Sequence, residues 1–169
     1  MGYYHETPED ERFDVTMYEV LRKLSSRGTM VVCSAGNDAT ERPMFPAAFA
    51  HWDTNRMDPA DADPLPQRDT SAIPIVSVGA LNPNGTDSLF SNAGAWVRTH
   101  AEGAAVMSTM PRAFMNSWQP AAHTERDGRA RETIDPDDFR SGFAVWSGTS
   151  FAAPVVAGRL AHLLGDVPE

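Results

Sequence analysis

A single cysteine, Cys33, stands in the 169 residues. No intrachain disulfide can form, and no cluster of cysteine ligands can hold a metal. Cationic side chains are scarce too: 14 Lys and Arg face 23 Asp and Glu, a formal net charge of −9. No run of Lys and Arg offsets that balance. This argues against a nucleic-acid partner, because phosphate binders carry a basic patch. Long apolar runs are missing as well. The most apolar long segment contains Pro154 and Arg159 and is too short to span a bilayer, which argues against a membrane partner. The opening, "MGYYHETPEDERFD", is polar and acidic, without the basic end and apolar stretch of a signal peptide. Taken literally, the chain reads as cytosolic. That expectation lapses if it is a piece of a longer protein, and the localisation is then open, secretion included. Nothing in the sequence calls for a cofactor.

What is present reads as one globular domain, with 41% hydrophobic and 22% charged residues. Residues 14–27, "DVTMYEVLRKLSSR", have the period of an amphipathic helix through Val15, Tyr18, Leu21 and Leu24. Asp14 suits its N-cap and Gly28 its C-terminal stop. The run "TMVVCSA", Thr29 to Ala35, suits a strand buried on both faces. Helix, glycine and buried strand make the second half of a β-α-β crossover, with "MGYY" as a first strand cut short. "AIPIVSVGAL", Ala72 to Leu81, is a second buried strand, and "NPNG", Asn82 to Gly85, a turn. "WVRTHAEGAAVMSTM" suits short strands broken by Gly103. A helix follows Ser150. Together these predict an α/β fold with a mainly parallel sheet flanked by helices.

Two segments look inserted, about 50–70 and 112–141, and both suit surface loops in a single domain spanning 1–169. The acidic group Asp53, Asp58, Asp61 and Asp63 raises a calcium site as an alternative to a solvated loop. It lacks the alternation and closing Glu of an EF-hand loop.

The chemistry concentrates in "SGTSFAAPVVAG", Ser147 to Gly158. A helix start exposes backbone N–H groups and a partial positive charge. A serine there can attack a carbonyl while nearby N–H groups stabilise the oxyanion. Gly148 removes a Cβ from the path of a substrate backbone, and Ala152 and Ala153 keep the first turn slim. Pro154 has no N–H for the carbonyl of Ser150, which loosens the turn beneath that serine. The bland alternative is Thr149 or Ser150 as an ordinary N-cap on a core helix.

Gly148 to Gly158, "GTSFAAPVVAG", strongly resembles the nucleophile motif of subtilisin-like serine peptidases. "VVCSAGND", Val31 to Asp38, resembles their oxyanion segment. "MFPAAF", "IPIVSVGAL" and "FSNAGAWV" resemble the segments that follow it, in the same order. The resemblance implies the C-terminal half of a doubly wound catalytic domain whose N-terminal half is not in this chain. It implies Ser150 as the acylated nucleophile, with Asn37 and the Ser150 backbone N–H as oxyanion donors. Loss of one such donor costs on the order of a hundredfold in turnover, a magnitude known from this same family. The substrate-binding residues implied are Gly2, Ser34, Ala35, Gly36 and Thr149. The Phe45–Pro46 bond is expected to be cis.

The family orders its triad Asp, His, Ser. Its Asp-Ser/Thr-Gly and His-Gly-Thr-His motifs do not occur here. None of the five histidines (His5, His51, His100, His123, His162) has that context. His162 lies twelve positions past Ser150, roughly 18 Å along a helix axis, and cannot be its base. Cys33 suits a small core residue, and Asp38 a turn. The resemblance therefore implies a serine endopeptidase fragment that is inactive alone. Its substrate would be a peptide, and its partner the missing half, upstream or on a separate chain. The alternative is a non-catalytic binding or structural module on the same scaffold.

Overall fold

The computed structural model describes residues 2–7, 10–52, 73–113, 123–132 and 139–165. The Asp-rich group at positions 53–63 lies outside the described residues. The chain forms two compact units, one of residues 1–104 and 147–169, the other of residues 105–146.

In the larger unit, α1 (Glu11–Ser25) leads to β1 (Val32–Ser34), and α2 (Phe49–Trp52) precedes β2 (Val76–Leu81) and β3 (Thr99–Glu102). The three strands form one parallel sheet in the order β1-β2-β3, with Val32 opposite Val76 and Val78 opposite Thr99. Side chains alternate across such a sheet. On one face, Val32, Val76, Val78 and Ala80 pack with Ala152, Val156 and Leu160 of the last helix. On the other, Val31, Cys33, Ala35 and Ile75 pack with Tyr18, Leu21, Phe45, Phe49 and Trp52. Tyr18 and Phe49 are fully buried, each worth about 2–3 kcal/mol of transfer free energy. Helical layers on both faces match the expected mainly parallel α/β architecture.

The differences are local. The first helix starts at Glu11, not near Asp14, and Asp14 is buried inside it, accepting hydrogen bonds from the Tyr3 hydroxyl and the His5 ring. A carboxylate with two tertiary partners has no need to cap. Gly28, at φ +84°, ends the helix as expected. The opening residues are not a sheet strand. Tyr3 makes an isolated antiparallel bridge to Phe45, whose backbone takes both its N–H and its carbonyl. β1 is only half-buried along its length, because it is paired on one side alone among the described residues. The central strand β2 carries the buried run. Phe45–Pro46 is cis.

The smaller unit holds β4 (Val106–Thr109) antiparallel to β7 (Phe143–Trp146), and an exposed hairpin of β5 (His123–Arg126) and β6 (Arg129–Glu132). The hairpin occupies the polar stretch expected to be loop. Its turn residues, Asp127 and Gly128, both have positive φ, as a tight two-residue turn demands. The last helix, α3 (Thr149–Gly165), belongs to the larger unit.

Candidate active site

The site forms where the loop after β1 meets the start of α3. Val32 to Gly36 runs off the end of β1, and Ala35 still bonds β2 through its N–H to Val78. Gly36 then turns at φ +107°, a conformation open to glycine. A Cβ there would fall 2.4 Å from Asn92 Nδ2. Asn37 follows and is exposed.

α3 begins at Thr149, one residue before the serine. The N–H of Thr149 donates to Asn37 Oδ1 at 2.8 Å. The Gly36 N–H donates to Thr149 Oγ1 at 3.1 Å. Thr149 Oγ1 in turn lies 3.0 Å from Asn37 Oδ1 and donates its proton there. The donors settle the orientation of the Asn37 amide. A backbone N–H and a hydroxyl proton both face one atom, which must be the oxygen. Nδ2, with its two donors, is turned the other way and has no protein acceptor among the described residues.

Thr149 is wholly buried. Expected among the substrate-binding residues, it bonds Asn37 and fixes one rotamer of the amide. The bland expectation of Thr149 as a capping side chain is reversed, since Asn37 caps the helix that Thr149 begins. Pro154 lies inside α3. At the same end, Phe151 N–H bonds the Gly148 carbonyl. The Ser150 N–H between these two is unclaimed among the described residues. Ser150 itself is exposed, so hydroxyl, free N–H and the Asn37 amide share one end of α3.

The small residues divide into two groups. Ala152 is buried against the sheet, and a Cβ on Gly103 would lie 2.8 Å from Ala80 Cβ and 3.1 Å from Ala152 Cβ. Gly103, Ala80 and Ala152 are small because α3 docks closely on β2 and β3. Clearance for a substrate is not what Ala152 provides. Gly148 differs. A Cβ there would meet Asn37 Nδ2 at 3.5 Å and Phe151 at 3.6 Å, ordinary contacts. The fold does not require glycine at 148.

Of the other residues expected to bind substrate, Ser34 is half-buried, Ala35 is completely buried and Gly36 is buried. Gly2 is exposed and lies against Met44. A cavity of about 350 Å³ lies elsewhere, lined by His5, Arg42, Phe45, His51, Trp52 and Trp96 among others, and none of the expected site residues lines it. The Cys33 thiol is pushed up from its ordinary pKa by burial, which suits a core residue and not a nucleophile.

One residue escaped sequence reasoning. Asn92, in the "FSNAG" segment, is buried and bonds the backbone of the Asn37 loop at several points. Its only sequence signal is an uncharged amide next to small turn residues.

The chain matches the family model described as the Subtilase family, Peptidase S8, over residues 7–169. It is 30% identical over 145 residues to Mycosin-4 of Mycobacterium tuberculosis (strain ATCC 25618 / H37Rv), a match covering 84% of this chain and 26% of that protein. A cold adapted subtilisin-like serine proteinase superposes with a TM-score of 0.57 at 18% identity, over 98% of this chain and 40% of its own. A lanthipeptide protease gives a TM-score of 0.57 at 18% identity, over 94% of this chain and 43% of its own. These two establish the fold. The chain thus spans about a quarter of the length of the curated relative and about two fifths of the solved structures. By the family model that matches it over residues 7–169, the chain belongs to the subtilase family, of whose catalytic domain it covers a part.

Proposed function

We propose that this chain is the C-terminal part of a serine endopeptidase that works through an acyl-enzyme on Ser150. The observation that carries the reading is the orientation of Asn37. With Oδ1 held by Thr149, its Nδ2 donors are left for a ligand beside the Ser150 N–H at the start of α3. Ser150 Oγ attacks the carbonyl carbon of the scissile bond and gives its proton to a base. Negative charge gathers on the carbonyl oxygen, which on this reading accepts from those donors. Collapse expels the amine, which takes a proton, and water then hydrolyses the ester. Gly2, which is exposed, and Ser34, which is half-buried, contribute surface to the substrate cleft, while the buried Ala35 and Gly36 support it from beneath. Gly148, which the fold does not require, leaves room for substrate.

The base and its orienting acid come from outside this chain, either upstream in the same polypeptide or from a partner. The chain alone is inactive on this reading. The sheet supports it: among the described residues β1 has an open edge where a parallel sheet would continue. So do the exposed apolar side chains of Met17, Val20 and Leu24 on α1 and Leu163 and Leu164 on α3. On this reading residues 1–169 are part of a single catalytic domain.

The test is labelling of the full-length protein with a serine-directed fluorophosphonate. The expected result is labelling that Ser150→Ala abolishes. Labelling that survives Ser150→Ala overturns the assignment of the nucleophile. No labelling at all of the full-length protein favours a non-catalytic module on the same scaffold.

A further inference from the structure

The amide of Asn37 is fixed by Thr149, but a fixed side chain needs a fixed backbone. The loop from Ala35 to Thr40 contains no regular structure, and both Gly36 and Ala39 have positive φ. Such a loop holds its shape only through tertiary bonds. Val78, Phe90, Ala93 and Thr149 each supply part of them, and four lead to one residue, Asn92.

Asn92 is 1% exposed, 57 positions along the chain from Ala35. Its backbone N–H donates to the Gly36 carbonyl at 2.9 Å. Its Nδ2 donates to the Ala35 carbonyl at 3.0 Å and to the Tyr4 hydroxyl at 2.6 Å. Its Oδ1 accepts from the Asp38 N–H at 2.9 Å and, at longer range, from the Thr40 N–H at 3.4 Å. Asn92 therefore holds the chain on both sides of Asn37 without touching Asn37. The Tyr4 hydroxyl, which Asn92 supplies with a hydrogen bond, itself donates to the Asp38 carboxylate and closes the ring. Both ends of the Asn92 amide are used, so no rotated amide satisfies the same partners. The packing is equally strict, since the Nδ2 atom occupies the space in which a side chain at Gly36 would start.

We infer that Asn92 is a positioning residue of the oxyanion site: it fixes the backbone from which Asn37 presents its donors, as Thr149 fixes the side chain. An apolar residue in its place would leave the Ala35 carbonyl and the Asp38 N–H without this partner, and both belong to the backbone that flanks Asn37. Four of its bonds converge on the residues bracketing Asn37, and that convergence is the reason to assign the role. The inference rests on the proposed peptidase function.

The experiment is a double-mutant cycle in the full-length protease, with active sites titrated by fluorophosphonate so that misfolded protein is not counted. Asn92→Ala is expected to lower kcat about tenfold per active site with KM unchanged. In an Asn37→Ala background the same change is expected to cost less than about twofold, because the group it positions is gone. Asn92→Asp keeps the volume and the acceptor facing Asp38 and Thr40. It serves as the second arm if the alanine variant does not fold, and a smaller loss is expected, again in kcat and again absent with Asn37→Ala. A purely structural role would lower the number of active sites or act equally in both backgrounds, and either result overturns the inference. A rise in KM with kcat unchanged overturns it as well, by making Asn92 a substrate contact. If Ser150 is never acylated, the peptidase reading itself falls. If Ser150 acylates normally and the cycle is additive, only the inference about Asn92 falls.

Discussion

Replacing Thr149 by Val tests the core of the site, because it exchanges a hydroxyl for a methyl of nearly the same size. Packing is little changed, so the effect is polar. Two hydrogen bonds are lost. The Gly36 N–H, in a buried residue, loses its acceptor, which costs about 1–3 kcal/mol for an unsatisfied buried donor. Asn37 Oδ1 keeps the Thr149 N–H and loses the hydroxyl proton, a net loss of about 1 kcal/mol. The sum is a destabilisation of about 2–4 kcal/mol. It is measured by urea unfolding of the full-length protein in a Ser150→Ala background, which prevents self-cleavage during the scan. With Ser150 present, kcat is expected to fall by roughly tenfold, less than the hundredfold or more that follows loss of a whole donor, because Asn37 remains but turns more freely. Thr149→Ser is the control. It keeps the hydroxyl and deletes a buried methyl, so about 1 kcal/mol is lost and kcat stays as it was. If Thr149→Val proves no less stable than Thr149→Ser, and turns over as fast, the closed network of Gly36, Asn37 and Thr149 is not what holds the site.

Gly148→Ala is expected to fold with a stability change within about 0.5 kcal/mol, since the added Cβ meets only ordinary contacts, while kcat/KM falls sharply because a substrate needs that space; equal loss of both would show that the glycine serves the fold. Gly36→Ala must place a side chain at φ +107° and against Asn92, and urea unfolding is expected to show a loss on the order of 3 kcal/mol. Cys33, with its pKa raised by burial, remains a thiol at pH 8 in the folded protein, so iodoacetamide should modify it far more slowly than in urea. The Tyr3 hydroxyl is pushed well above its ordinary pKa of 10.0, first by burial and then by its hydrogen bond to Asp14. A raised pKa in the fold contributes stability that is present below pH 10 and is lost as the pH climbs above it. Unfolding monitored from pH 9 to 12 should therefore show a steeper decline in the native protein than in Tyr3→Phe.

The reading from residues alone reached furthest where short-range physics decides. The period of Val15, Tyr18, Leu21 and Leu24 gave the helix, and Gly28 gave its end, because a left-handed residue stops a helix whatever surrounds it. "IPIVSVGAL" read as a buried strand because the central strand of a parallel sheet has no polar face to show. "TMVVCSA" looked the same in sequence, yet its strand is half-buried. Composition cannot tell a central strand from an edge. Asp14 read as a cap because a carboxylate near a helix start has few local alternatives; its partners Tyr3 and His5 lie 11 and 9 residues away and are joined to it only in the folded chain. The β5–β6 hairpin escaped because its strands are exposed on every side and so carry no alternation of apolar residues.

The sequence by itself determined the main helices and the buried central strand, the marks of the family and Ser150 and Asn37 as the residues of interest. These are local properties: hydrophobic period, turn residues and motifs a few residues long. Only the tertiary structure decided which atom of Asn37 faces out, because that depends on a donor 112 positions away at the start of α3. It also brought Thr149 to the support of Asn37, and Asn92 to the loop. Hydrogen bonds within an irregular loop have no period to leave in the sequence, and their donors and acceptors meet only when the sheet and helix have already assembled.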